Sequence, residues 1–192
     1  MRIFCFILFI FFFGLLGNTT GHGGIRKIQL ALSKFAVVQG NFNQKKNIKS
    51  LNLVLASSGT FKISKEKMIW NQISPIEGFY EISQKGIRHK ENSQNEEFIS
   101  QDKAPIVGTL STMLLCALGG DEKCLNQFFI IENTKFVPKG KWSFNLKPKS
   151  EPFSKVIKSI VVEGHGPFVG KVQIFELQGN TTEIVFYNLT GE

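Results

Sequence analysis

Residues 35–75 read FAVVQGNFNQKKNIKSLNLVLASSGTFKISKEKMIWNQISP, a series of strand-like runs joined by short polar turns. In the first run Val38, Gly40, Phe42 and Gln44 share one face, and Gln39, Asn41 and Asn43 share the other. This is the period-2 pattern of a half-buried strand. Gly40 lies inside that strand, and Gly59, in Ser58-Gly59-Thr60-Phe61, repeats the device one strand later. Each removes a side chain where a sheet bends or where another element packs closely. Further runs at Leu51–Ser57, Gly59–Ser64, Met68–Ile73 and Gly78–Gln84 continue a meander, and Phe61 and Ile63 face away from Thr60, Lys62 and Ser64. The expectation is a curved antiparallel sheet with one apolar side, in which Trp70 reads more readily as core than as a ligand contact.

Helical periodicity appears on either side of these strands. From Ile25 to Val37 the residues Ile25, Ile28, Leu32 and Phe35 fall close to one helical stripe. A second helix is expected over Ile106–Leu118, after Pro105 and before Gly119-Gly120, with Ile106, Leu110, Met113, Leu114 and Ala117 on one face. That stripe fits a plug for the open side of the sheet and equally an adaptable apolar lid, since methionine accommodates varied apolar ligands. Residues 86–101 are highly polar and fit exposed hairpin strands. Strands follow at Gln127–Asn133, Trp142–Lys147, Ile157–Glu163, Val169–Leu177 and Glu183–Asn188, with a hairpin signal at Gly179-Asn180. Val172 and Ile174 opposite Phe175 and Leu177 give a strand that is apolar on both faces. The expected class is α+β, a single domain of 192 residues, within the size that one core supports.

Arg2 precedes an unbroken apolar run from Ile3 to Phe13, which is too short to span a bilayer comfortably. Residues 1–21 therefore read as a cleaved secretory signal, with residues 22–192 as the exported domain. Without Arg2, 22 basic residues stand against 15 acidic, about +7. The lysines are scattered, as on a solvated surface, and a basic surface also suits anionic head groups or an acidic partner. No groove-reading helix accompanies the charge, so nucleic acid is not an expected partner. Of three cysteines, Cys5 lies in the signal; Cys116 and Cys124 remain, and in an oxidising compartment such a pair most simply forms a disulfide.

Groups for catalysis are not apparent. His22, His89 and His165 stand in neither a metal-ligand spacing nor a nucleophile motif, and Gly119-Gly120 lacks the lysine and hydroxyl of a phosphate loop. The sequence points away from an enzyme and calls for no cofactor or metal.

Phe35-x-x-Val38-x-Gly40-x-Phe42-x-Gln44-Lys45, Leu51-x-Leu53, Ser58-Gly59-x-Phe61, Trp70 and Pro75 resemble, in order and spacing, the opening of the LolA-type outer-membrane lipoprotein carriers and their LolA-like relatives. Trp142-x-x-x-Leu146-x-Pro148-Lys149 and strands at Ile160–Glu163 and Glu183–Asn188 resemble the second half of that fold. The resemblance implies an incomplete, half β-barrel with helices covering its concave face. It implies a monomeric periplasmic carrier that holds the acyl chains of lipoproteins or lipids in an apolar cavity and ferries them towards the outer membrane. Its implied partners are the acylated cargo, an inner-membrane release complex and an outer-membrane acceptor. The alternative is a non-catalytic, lipid-binding envelope-biogenesis accessory protein with a LolB-like half-barrel. Strand alternation and the resemblance together give an expected cavity lining of Phe42, Phe61, Trp70, Leu110, Met113, Leu114 and Phe144. The family's principal members carry an arginine just before the tryptophan that matches Trp70, implicated in holding the lid shut; here that position is Ile69.

Overall fold

The computed structural model describes residues 32, 34–64, 66–83, 85–91, 96–100, 127–151 and 153–192. Their strands, in chain order, are β1 (Val37–Ile48), β2 (Leu53–Ser64), β3 (Lys67–Ser74), β4 (Gly78–Ser83), β5 (Gly86–Glu91), β6 (Glu97–Ser100), β7 (Phe129–Val137), β8 (Lys141–Pro148), β9 (Ile157–His165), β10 (Phe168–Glu176) and β11 (Thr181–Gly191). All belong to one 11-stranded sheet in the order β6-β5-β4-β3-β2-β1-β11-β10-β9-β8-β7. Every ladder is antiparallel. The order is linear, so β6 and β7 are its two edges and the barrel is open.

Two meanders, β1–β6 and β7–β11, are joined at β1, the central strand, which pairs with β2 on one side and β11 on the other. Backbone bonds between Ala36, Val37 and Glu192 tighten this seam. Glu192 O accepts from Ala36 N at 2.8 Å and Val37 N at 3.2 Å, while Glu192 N donates to Val37 O at 3.0 Å.

The expected α+β class with helices covering the concave face is corrected to an open curved sheet. Among the described residues, the whole elements other than strands are three short 3-10 turns, and the only α-helical positions are Leu32, Gln127 and Phe128. Leu32 is helical, but Val37, expected to end the first helix, instead opens β1, its backbone bonded to Glu192. The rest of that helix before Leu32, the whole of 106–118, Cys116 and Cys124, and the signal segment 1–21 lie outside the described residues. A second correction concerns Ser58-Gly59, which does not separate two strands. Leu53–Ser64 is one strand, and the register against β3 shifts between Ser58 and Gly59. Leu177, expected in a strand apolar on both faces, lies beyond the end of β10 and is exposed. The Gly179-Asn180 hairpin is as expected, with Gly179 at φ +84° and Glu176 N donating to Asn180 O at 3.0 Å.

Alternation assigns the core to one side, the inner face that carries Phe42. Across β2, β3, β4 and β5 the register aligns Ile63, Met68, Ile82 and Ile87, and beside them Phe61, Trp70, Tyr80 and His89. Across the other half, Ile184, Val172, Val162 and Phe144 form one row, and Thr182, Ile174, Ile160 and Leu146 the next. Nearly all of these side chains are buried.

Close approach fixes the glycine at 59: a Cβ there would overlap the backbone carbonyl of Asn71, a group that cannot swing aside. Gly170 has only Glu163 O near a Cβ, at 3.9 Å. Gly59→Ala is therefore expected to destabilise by about 1–3 kcal/mol, as overpacking does, and Gly170→Ala to be neutral or slightly stabilising. Urea melts of the two variants check this, the midpoint falling for the first alone.

Candidate functional site: the inner face of the sheet

At the centre of the inner face one aromatic ring lies on another. Phe42 is opposite Gly59 in the β1–β2 register, and Trp70 is opposite Phe61 in the β2–β3 register. Its ring stacks on Phe42 with centroids 3.6 Å apart at 24°. Phe186, opposite Phe42 on β11, meets Phe61 edge-on at 5.0 Å and Trp70 at 6.4 Å. Such contacts add about 0.5–1.5 kcal/mol per pair beyond the area buried. Thus three residues expected to line the cavity, Phe42, Phe61 and Trp70, come together. Phe144 lies in the other half, stacked on Trp142 at 5.7 Å. Leu110, Met113 and Leu114 lie outside the described residues. Phe186 was missed in the sequence, although its alternation with Ile184 placed both on one face.

The two tryptophans differ in a way that the sequence does not show. Trp142 Nε1 donates to Gly166 O at 2.9 Å, and its ring occupies the space that a side chain at Gly164 would fill. Trp70 Nε1 is buried with no hydrogen-bond partner.

Towards the end of the sheet that carries the Lys49–Leu51 turn, the inner face becomes polar. Gln44, Lys46, Gln72, Glu176 and Thr182 are all buried there. Lys46 Nζ lies 3.0 Å from Glu176 Oε1, their side chains 10% and 7% exposed. It is an ion pair by distance but lacks hydrogen-bond alignment at Oε1; Glu176 Oε2 accepts from Asn180 Nδ2 at 2.8 Å. Gln44 Nε2 donates to Ser57 Oγ at 3.0 Å, and Gln44 Oε1 is buried without a partner. Gln72 Nε2 donates to Ile76 O at 2.7 Å.

Tyr80 and His89 mark the β4–β5 flank. Tyr80 donates its hydroxyl to Glu91 Oε1 at 2.9 Å. Burial, and then that carboxylate, push its phenol well above the usual tyrosine value. His89, expected as a surface residue, instead faces inward and stacks on Tyr80 at 5.9 Å, with Nδ1 buried and unpartnered. His165 ends β9, its Nε2 2.7 Å from Lys139 O. Among the described residues no group of three or more His, Cys, Asp or Glu could hold a metal.

The outer face offers different chemistry. A groove of about 560 Å³ there is lined by Glu66, Lys67, Glu81, Ser83, Lys85, Arg88 and Phe98 and crossed by the Lys67–Glu81 ion pair at 2.8 Å. Its charges suit no acyl chain. Ile69, at the position of the family's arginine, also faces outward between Lys62 and Glu81. A residue at 69 therefore points away from the inner face.

The described chain is thus an open antiparallel sheet with aromatic rings along its buried face. The family model for LolA, the outer membrane lipoprotein carrier protein, matches residues 33–192, and the chain belongs to that family. Among solved structures it is similar to a LolA superfamily protein from Nitrosomonas europaea, with 7% identity, TM-score 0.43, 91% of this chain and 94% of that one covered. A DUF1329 family protein from Desulfovibrio piger gives 8%, 0.43, 85% and 89%. A domain named for outer membrane lipoprotein sorting, from Vibrio parahaemolyticus, gives 10%, 0.41, 87% and 90%. A comparison with curated proteins gives no significant match. Membership rests on the family match alone.

Breaking the buried ion pair removes the carboxylate that faces a buried lysine. Glu176→Ala is expected to cost about 3 kcal/mol, whereas Lys46→Met combined with Glu176→Leu recovers most of that loss. Thermal and urea melts of the single and double variants decide it; equal losses in both would show that the charges contribute favourably as a pair.

Proposed function

We propose that the protein is a periplasmic carrier that takes the acyl chains of lipoproteins or lipids onto the apolar inner face and ferries them towards the outer membrane. The observation that supports this most directly is the aromatic cluster of Phe42, Phe61, Trp70 and Phe186 on the inner face of a LolA-family sheet. Phe144, in the second half of the same face, extends the proposed lining. Such a carrier needs no catalytic group; it exchanges water for hydrocarbon around its cargo. Each buried methylene contributes about 0.8 kcal/mol, so one long chain gains on the order of 10 kcal/mol as an upper bound. A ligand reaching this face displaces contacts that bury it in the empty protein. Closure and cargo therefore compete, and that competition permits release.

Residues 22–192 form the carrier domain in this reading, exported behind the 1–21 signal. Hand-over to an inner-membrane release complex and an outer-membrane acceptor requires a surface for contact. Leu51, Val54, Ile73, Ile76 and Leu177, each more than half exposed at the end of the sheet bearing the Lys49–Leu51 turn, suit that role.

Protein purified from the periplasm is expected to carry acylated lipid or lipoprotein detectable by mass spectrometry. A photocrosslinker at Phe42 should capture it, and one at Lys62, on the outer face, should not. Equal labelling at the two positions, or protein that copurifies with no acylated molecule and takes none up, would contradict the reading.

A further inference from the structure

Among the buried polar atoms of the inner face that lack a hydrogen-bond partner, two are complementary. Gln44, 1% exposed, commits Nε2 to Ser57 Oγ at 3.0 Å and leaves Oε1 as an unused acceptor. Trp70, also 1% exposed, leaves Nε1–H as an unused donor. Both flank Phe42: the indole stacks on its ring, and Gln44 is the next inward-facing residue on β1. They sit where the apolar face gives way to the polar cluster of Lys46, Glu176 and Thr182. An unsatisfied buried polar group is costly, and native proteins keep few. Trp142, on the same face with its N–H satisfied, shows that this sheet can partner an indole where nothing else is required of it.

We propose that Gln44 and Trp70 form a polar subsite that recognises a secondary amide linking an acyl chain to its head, so that the site selects N-acyl over O-acyl ligands. This rests on the acyl-carrier reading. A secondary amide brings one N–H donor for Gln44 Oε1 and one carbonyl for Trp70 Nε1–H. An ester brings only acceptors, satisfies the indole and leaves the Gln44 oxygen stranded. A free carboxylate adds a charge, again without a donor. The hydrocarbon tail then lies along Phe42, Phe61 and Phe186, and the head faces the polar cluster.

The matched probes are N-ethyldodecanamide and ethyl dodecanoate, which differ by N–H against O, competed against a fluorescent fatty-acid reporter on the full exported chain. The wild-type protein is expected to prefer the amide by about tenfold, the discrimination of one buried hydrogen bond. Gln44→Met, similar in length and without the acceptor, brings the ratio close to one and leaves the melting temperature unchanged or raised. Trp70→Phe keeps a ring and drops the donor, so it weakens both probes alike, since both carry a carbonyl. Each ratio is read within one protein, so a change in stability does not move it. Equal displacement by the two probes in the wild type, or a tenfold ratio that survives Gln44→Met, overturns the subsite while leaving the carrier reading in place. Displacement by neither probe overturns both.

Discussion

The ladder between β1 and β11 joins two meanders, of six and five strands, that would otherwise be separate sheets. Its partners lie about as far apart in sequence as the described chain permits: Val38 pairs with Gly191 and Asn47 with Thr181. Long-range pairing of this kind is slow to form, because loop-closure entropy precedes any contact energy. In return it places β1 in the middle of the inner face, with apolar rows on either hand. The same strand that closes the fold therefore carries both the ring at the centre of the face, Phe42, and the polar residues Gln44 and Lys46 beyond it.

That arrangement makes the inner face directional. One end is aromatic and dry, held by Phe42 on Trp70 and Phe61 against Phe186. The other holds a buried ion pair and amides, some of their atoms unpaired. A core built only for stability would favour apolar residues here, since buried ion pairs seldom outdo well-packed hydrophobic replacements. A ligand with a hydrocarbon tail and a polar head gives both ends a purpose, with the stability lost at the polar end offset by specificity.

The sequence made the sheet legible because alternation is strict near its centre. Val38, Gly40, Phe42 and Gln44 face inward as their spacing predicts, and so do Phe61, Ile63, Met68 and Trp70. Gly59 was recognised as a special position but misread as a boundary: a bulge and a turn share the same Ser-Gly signature, and only the register of β3 distinguishes them. Residues 25–37 show helical spacing, yet Val37 is a strand, because a backbone ladder to Glu192 at the far end of the chain outweighs local periodicity. The polar subsite was hidden for another reason. Gln44 was placed on the correct face, but whether an amide oxygen finds a partner depends on Ser57, thirteen residues away, and on the ring beside it.

Occupancy of the aromatic inner face by acyl chains can be read from the fluorescence of Trp70. A Trp142→Phe variant makes Trp70 the only tryptophan of the chain. Titration with a fatty acyl ligand carrying a bromine pair or nitroxide midway along its chain should quench the emission saturably, with the unlabelled ligand reversing it. Binding of the same ligand, shown independently by equilibrium dialysis, with Trp70 emission unchanged at saturation would place the acyl chain elsewhere and contradict the account.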